Sequence, residues 1–143
     1  VEPSRITFEI TETAACEQLD SAIAFIQRIR QLGCNVSLDD FGVGFSSFSY
    51  LKHLRADILK IDGSFIRDIH NNNADQLFVK ALVDVARGMG MRTIAEFVEN
   101  EQVFDRVRSL GVDYVQGFYL GKPQPTLGTA RAGKPAALNA SVA

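Results

Sequence analysis

Residues 37–62 read SLDDFGVGFSSFSYLKHLRADILKID, and this stretch decides how the rest of the chain is interpreted. It contains two short apolar runs that each end at acid. The first run ends at Asp39 and Asp40, and the second contains Lys60 and ends at Asp62. A glycine-containing loop and a short helical pattern separate them, which predicts the order strand, loop, helix, strand. This order is typical of a βα unit with a parallel sheet, where functional groups lie at the carboxyl ends of the strands.

The composition predicts one soluble globular domain, since the 143 residues are 46% hydrophobic and 22% charged. A net charge of −2 without a dense Lys/Arg block argues against binding to duplex DNA or RNA. No apolar run approaches the ~20 residues of a membrane span. Cys16 and Cys34 stand apart, so we expect buried or half-buried free thiols in a cytoplasmic protein, which upstream segments of a longer chain could still anchor to a membrane.

Hydrophobic periodicity along the chain predicts five strands that alternate with helices. The predicted strands are 5–10, 35–38, 57–61, 92–95 and 112–115. The predicted helices are 17–32, 47–53, 74–88 and 100–110, with one further turn near 65–66. We expect Asn73 to cap the third helix with Gln76 as its capping-box partner, and Ser46 or Ser47 to cap the second. Residues 126–143 are small, polar and Ala-rich, which predicts a disordered tail or a cloning remnant.

Strict alternation of strands and helices predicts either a (β/α)8 barrel or an open doubly wound sheet. No strand is followed by a glycine-rich phosphate-binding fingerprint. A (β/α)8 barrel usually needs about 250 residues, so five βα units would form an incomplete barrel that lacks about three strands on its N-terminal side. The chain begins Val-Glu-Pro-Ser, without Met, so we expect it to be a segment of a longer protein.

Polar or charged residues lie at or just past the carboxyl end of every predicted strand. These residues are Glu9, Asp39, Asp40, Lys60, Asp62, Glu96 and Gln116. Because parallel strands end at one edge of a sheet, we expect these side chains to converge on one mouth. The alternative is that they are helix N-cap acids and solvated loop ends. His53 and His70 lie outside this set, and we expect surface or packing roles for both.

The predicted mouth favours metal-dependent chemistry. Five carboxylates that converge repel each other, so either some are protonated or cations neutralise them. An all-oxygen site selects Mg2+ or Mn2+ over Zn2+. Asp39 beside Asp40 suits two ions, an arrangement that activates water and stabilises the leaving oxygen in phosphoester cleavage. Lys60 would hold the attacking water or balance phosphate charge, and Glu96 is a candidate general base.

Five strings of sequence occur along the chain in the order FEITE (8–12), DDFGVGFSSFSYL (39–51), ADILKID (56–62), TIAEFVEN (93–100) and DYVQGFYLGKP (113–123). In this order and at this spacing they resemble the EAL family, the bacterial phosphodiesterases that linearise cyclic di-GMP to pGpG. The resemblance implies that residues 1–125 are the C-terminal part of an EAL domain with a (β/α)8 barrel and two Mg2+ or Mn2+ ions.

The resemblance also implies a role for each matching residue. The implied metal-site acids are Glu9, Asp39, Asp40, Asp62 and Glu96. Lys60 would hold the nucleophilic water, Glu96 would be the general base, and Gln116 would lie near the metal water or the substrate phosphate. Glu12 and Glu99 would be anchors behind the site, Glu12 for the loop from Asp40 to Ser47. That loop is associated in the family with dimerisation, so we expect a homodimer or another homo-oligomer that binds cyclic di-GMP.

The chain also departs from the family pattern. The Glu-Ala-Leu motif, an Asn ligand and an Arg that grips the phosphate have no counterpart in these residues. We therefore expect the 143 residues on their own to be inactive or nearly so, and the open sheet edges to favour association. Two other interpretations stay open. One is a non-catalytic module that binds cyclic di-GMP or a protein partner, and the other is an enolase-type proton abstractor, which also uses strand-end acids and a lysine.

Overall fold

The computed structural model describes residues 1–44 and 48–123, which form an α/β unit around one five-stranded parallel sheet. The strands lie side by side in chain order: β1 Thr7–Thr11, β2 Asn35–Phe41, β3 Ile58–Ile61, β4 Arg92–Ala95 and β5 Tyr114–Val115. The helices are α1 Glu12–Glu17, α2 Leu19–Gln31, α3 Leu51–Leu54, α4 Gly63–Ile66, α5 Asn73–Gly88 and α6 Glu101–Ser109. Every neighbouring pair of strands is parallel, as the prediction of five consecutive βα units requires.

Strands β2 and β3 direct apolar side chains to one face of the sheet and Ser37 and Lys60 to the other. On β2 and β3 the side chains alternate, because successive residues of a strand point to opposite faces. Val36, Leu38 and Leu59 are fully buried in the core with the helices, whereas Ser37 and Lys60 belong to the opposite face. The face of Ser37 and Lys60 also carries Ile58 and Ile94, and Lys60 lies on it near the carboxyl end of β3.

Strand β2 is longer than predicted, and this changes the setting of the two adjacent acids. The prediction ended the strand at Leu38, but β2 continues to Phe41 because Asp39 pairs with Thr11 on β1 and Phe41 pairs with Ile61 on β3. The register with β3 shifts between Leu38 and Phe41. Such an irregularity bends the strand and redirects a side chain, and it occurs next to functional sites.

The segment after β1 is helical rather than the predicted loop. The hydroxyl of Thr11 accepts a hydrogen bond from Ala14 N at 3.3 Å and caps α1, so Glu12 is the first residue of a helix. The predicted helix 17–32 is correspondingly divided at Gln18, whose backbone (φ −135°, ψ 60°) is not helical. Nothing in the sequence predicts a helix break at this position, since Gln has a good helix propensity.

Helix α5 was predicted correctly in extent but only in part in its buried face. The cap is Asn72 rather than Asn73, since the Asn72 side chain accepts from the backbone N–H groups of Ala74 and Asp75. Helical spacing predicts an inner face of Leu77, Ala81, Leu82, Val85 and Ala86. Leu82 and Ala86 are buried, together with Val79 and Val83, whereas Leu77 is 74% exposed. The helix is apolar on several sides, so its period alone does not choose the core face.

The remaining predictions concern helix caps, the two thiols, the C-terminal tail and membrane spans. Asn100 caps α6 by accepting from Val103 N at 2.9 Å, as expected. Cys34 is half-buried, as expected, but Cys16 is exposed, contrary to the expectation. The proposed Ser46 or Ser47 cap and the predicted tail 126–143 lie outside the described residues. Among the helices of the described ranges, none has the length and apolar character that a membrane span needs.

Candidate active site

Lys60 is the centre of the candidate site at the carboxyl end of the sheet. Its side chain is only 6% exposed, and its ammonium contacts carboxylates from three other strands. The Nζ atom lies 2.9 Å from Asp39 Oδ1, 2.9 Å from Glu96 Oε1 and 3.2 Å from Glu9 Oε1. An ammonium has three N–H donors, so each of the three carboxylates can accept one of them. The structure therefore brings four of the predicted site residues into one network.

Asp40 joins Asp39 and Glu96 in a second, overlapping group. One carboxylate oxygen from each of the three lies within 4.8 Å of the others. Asp40 reaches this group through a left-handed backbone with φ of 54°, at the irregularity in β2. Regular alternation would point Asp39 and Asp40 to opposite faces. A left-handed residue costs of order 1–3 kcal/mol, and such strain concentrates at functional sites.

The electrostatics of the mouth follow from these contacts. Burial raises the pKa of Glu96 above its ordinary value, and the charges of Asp39 and Asp40 raise it further, while Lys60 lowers it. Partial burial, followed by the charges of Asp39 and Asp62, raises the pKa of Asp40. Burial lowers the pKa of the Lys60 ammonium, but its hydrogen bonds to the three carboxylates outweigh burial and raise it. One ammonium therefore does not neutralise the acids around it.

This donor set fits a hard divalent cation. All three grouped ligand atoms, on Asp39, Asp40 and Glu96, are carboxylate oxygens, which Mg2+ and Mn2+ prefer. Burial, followed by the charges of neighbouring carboxylates, raises the pKa values of Asp40 and Glu96, so the ionised acids are unfavourable in the metal-free mouth. A cation bound between these oxygens would lower both pKa values.

Two of the five predicted metal-site acids lie outside that group. Asp62 caps α4, since its Oδ1 accepts from Ser64 N at 2.8 Å, although its charge still reaches Asp40. Glu9 contacts Lys60 from β1, and half of its side chain is exposed. Within the described ranges, the oxygen cluster that could hold an ion is thus built by β2 and the end of β4.

Gln116 and Glu99 lie at the edge of the mouth and not at its centre. Both are exposed, and both line a cavity of about 220 Å³ together with Glu96, Phe97 and Phe118. Gln116 follows β5, and its backbone N–H donates to Ala95 O at 2.9 Å, which ties the ends of β4 and β5 together. The two side chains therefore line the same cavity as the candidate general base.

Glu12 lies behind the mouth and is 3% exposed. Its Oε2 accepts from Gly42 N at 2.9 Å, and its Oε1 accepts from the hydroxyl of Tyr50. Gly42 has φ of 105°, a conformation that favours glycine, and a side chain there would strike Phe65. Glu12 thus holds the backbone directly after the two acids of β2.

Sequence reasoning missed three residues around the site: Tyr50, Gly63 and Phe97. Tyr50 was part of a helical pattern, and nothing in its spacing indicated a bond to Glu12. Phe97 follows Glu96 as a bulky apolar residue, yet its backbone has φ of 56°. A bulky residue with positive φ is uncommon, and no local sequence signal predicts it.

Comparisons with known proteins decide the family of the chain. A model of the EAL domain family matches residues 1–123.

The chain belongs to the EAL domain family.

Relatives and solved structures extend this result. The chain is 44% identical over 129 residues to the cyclic di-GMP phosphodiesterase PdeF of Escherichia coli, a match that covers 90% of this chain and 17% of PdeF. The PaMucR phosphodiesterase in complex with c-di-GMP superposes with a TM-score of 0.83 at 37% identity, covering 88% of this chain and 51% of that one. A manganese/cy-diGMP complex of Klebsiella pneumoniae BlrP1 superposes at 0.82 with 30% identity, covering 86% and 31%.

These matches confirm the predicted family and fold class. The five-stranded parallel sheet of this EAL chain is part of a TIM-type barrel. The chain spans about half the length of the MucR structure and less than a fifth of PdeF. Strands β1 and β5 each have one hydrogen-bonded neighbour among the residues that the structure describes.

Proposed function

We propose that the protein hydrolyses cyclic di-GMP to linear pGpG with the help of divalent cations. The observation that carries this proposal is the network in which Lys60 faces three carboxylates at the carboxyl end of the sheet. Relatives named cyclic di-GMP phosphodiesterases, and a structural relative solved with manganese and the cyclic dinucleotide, support the choice of reaction and substrate.

Asp39, Asp40 and Glu96 are the residues that would hold Mg2+ or Mn2+, with Glu9 and Asp62 at the edge of the site. When bound, two such ions supply an activated water and stabilise charge on the leaving oxygen of the phosphodiester. Their positive charge would also balance the acids that one lysine does not neutralise. The site would then change from one that repels a phosphate to one that attracts it.

Lys60 has a distinct role in this proposal. Its ammonium is buried and keeps its proton, since its hydrogen bonds to Asp39, Glu96 and Glu9 raise its pKa. Once cations hold Asp39, the corresponding donor of Lys60 becomes free for the attacking water or a phosphate oxygen. The lysine therefore acts as a fixed positive donor and not as a base.

Glu96 is the proposed general base. Its carboxyl is buried, and burial raises its pKa above the ordinary value in the metal-free chain. A carboxylate within reach of the attacking water can accept its proton. It lies 2.9 Å from Lys60, so a water held by the lysine would be within reach of the carboxylate. Gln116 and Glu99, which line the same cavity as Glu96, would contact the substrate beside the reacting phosphate or support the groups that do.

The incomplete sheet sets the expected behaviour of the 143-residue chain by itself. Since the chain spans about half of the MucR structure, we expect it to turn over little substrate unless copies assemble. The open edges of β1 and β5 favour association into homodimers or larger oligomers. A module that binds cyclic di-GMP without cleaving it is the alternative function.

The test is the conversion of cyclic di-GMP to pGpG by the full-length protein with Mn2+ or Mg2+, followed by chromatography. Glu96→Gln removes the proposed base, and Glu17→Gln makes the same change on an exposed helix position. We expect turnover that falls by about 100-fold or more in the first variant and stays unchanged in the second. Binding of cyclic di-GMP with no turnover in the wild type would instead support the non-catalytic alternative.

A further inference from the structure

Phe97 follows the proposed base directly and has an unusual backbone. Its φ of 56° lies in the left-handed region, which bulky side chains rarely adopt. Such a conformation persists only where the surrounding structure enforces it. The position also comes just beyond β4, so strand hydrogen bonds alone do not account for it.

The ring of Phe97 is wedged against the two ends of α4. A Cβ atom at Gly63 would lie 2.2 Å from Cδ2 of the ring, so only glycine leaves room for it there. The guanidinium of Arg67, which follows the last residue of α4, lies over the ring at 4.4 Å from its centroid. This contact combines a cation–π attraction with packing. Gly63, Arg67 and Phe97 thus form a clamp between β4 and α4.

The clamp joins the two strand ends that carry Lys60 and Glu96. Helix α4 starts directly after β3, whose last paired residue, Ile61, lies beside Ala95 at the end of β4. Beyond that pair, the backbone link between the two segments is a bond from Glu96 N to Ile61 O at 3.3 Å. The geometry of the Glu96 carboxylate relative to Lys60 therefore depends on side-chain packing past the sheet.

We propose that Phe97 is a positioning residue whose ring, held by Gly63 and Arg67, fixes the Glu96 carboxylate against Lys60. The kinetic part of this inference rests on the proposed phosphodiesterase function, whereas the geometric part does not. With Mn2+ at saturation, a loosened Glu96 carboxylate slows the proton transfer more than it weakens substrate binding, so we expect a lower kcat with KM nearly unchanged.

Two substitutions separate the ring from the backbone. Phe97→Gly removes the ring but keeps the backbone, because glycine adopts positive φ without a steric penalty. Gly63→Ala places a methyl group where the ring lies. The three atoms nearest to that methyl all belong to Phe97, so we expect the methyl to cost little once the ring is absent. The effect of Gly63→Ala must therefore depend on Phe97.

The experiment measures kcat and KM of cyclic di-GMP cleavage for the full-length wild type, both single variants and the double variant. We expect each single variant to lose about ten- to a hundredfold in kcat, with KM within about twofold. We expect Gly63→Ala to cause no further loss in the Phe97→Gly background. Crystal structures of the wild type and Phe97→Gly supply the second readout, with the Lys60–Glu96 contact of 2.9 Å lost in the variant.

Three results would overturn the proposal: wild-type kcat in Phe97→Gly, an equal loss from Gly63→Ala with and without the ring, or an unchanged Lys60–Glu96 contact in the variant crystal. A purely structural role would lower the unfolding temperature without changing kcat. If the wild type cleaves no cyclic di-GMP, the proposed function fails, and the crystal structures alone then decide the positioning role.

Discussion

The two ends of the parallel sheet treat their carboxylates in opposite ways. At the N-terminal end, Asp57 accepts from Val36 N at 2.9 Å and also pairs with Arg30. Asp113, at the start of β5, accepts from both the backbone and the hydroxyl of Thr93, at 2.8 and 3.0 Å. At the C-terminal end, one lysine serves three acids, and the pKa of Glu96 is raised.

This difference separates stability from function within one fold. The acids of the N-terminal end are matched to partners and fasten neighbouring elements, as is typical of that face in barrels of this type. The acids of the C-terminal end repel each other, and Asp40 and Phe97 hold strained backbone there. Repulsion and strain at one end are what a site for cations and a phosphate requires.

Lys60→Met tests the largest expected difference between the two ends of the sheet. The variant removes the positive donor of the mouth, so we expect cyclic di-GMP turnover by the full-length protein to fall by about 100- to 10,000-fold. Lys80→Met, which removes an exposed partner of Asp84, is the matched control and should change turnover by less than about twofold. Lys60 would have no catalytic role if the first variant kept a third of wild-type turnover.

Asp57→Ala tests the other end of the sheet. It leaves Arg30 and the Val36 N–H without their carboxylate, so we expect a loss of about 1–3 kcal/mol in the free energy of unfolding. Urea denaturation of the 143-residue chain measures this change. Asp84→Ala, which breaks an exposed i,i+4 pair, should cost less than about 0.5 kcal/mol. Equal effects would show that the N-terminal carboxylates are not special.

The titration of Glu96 measures the electrostatic difference between the two ends of the sheet. Burial raises its pKa, so the metal-free folded chain binds this proton more tightly than the unfolded chain does. Its contribution to stability therefore falls as pH rises from the ordinary value of 4.5 through the raised pKa. NMR of the carboxyl carbon should report a pKa above 4.5. Lys60→Met should raise it further, and a lower value in that variant would contradict this account.

Asp40→Asn gives the smallest expected effect, and its sign is informative. The raised pKa of Asp40 means that its negative charge is unfavourable in the metal-free fold, and Asn tolerates positive φ well. We expect the melting temperature of the metal-free chain to rise by about 1–3 °C. Adding Mg2+ should stabilise the wild type and not the variant. A destabilised metal-free variant would show that Asp40 is held by favourable contacts instead.

The ring of site acids was predictable because it depends on position along strands. Each acid follows an apolar run, and parallel strands bring such positions to one edge, which is how Glu9, Asp39 and Glu96 meet at Lys60. The family motifs supplied the proposed substrate, cyclic di-GMP. The chemistry of the site alone did not distinguish phosphodiester cleavage from other metal-dependent reactions.

What the sequence did not reveal depends on long-range packing. The left-handed backbone of Phe97 is enforced by Gly63 and Arg67, about 30 residues away in the chain, and no local propensity records that contact. The same holds for Tyr50, which donates to Glu12 from a separate element. The buried face of α5 was predicted only in part, because Leu77 is as apolar as the residues that the core selects.

The most direct test of the central claim is a Mn2+ titration of the 143-residue chain, followed by the electron paramagnetic resonance signal of the free ion. The claim is that the carboxyl end of the sheet is a divalent-cation site built on Asp39, Asp40 and Glu96. The account predicts saturable binding that Asp39→Asn weakens by at least about tenfold and that Asp57→Asn leaves unchanged. Binding that is absent, or that both variants weaken equally, would contradict it.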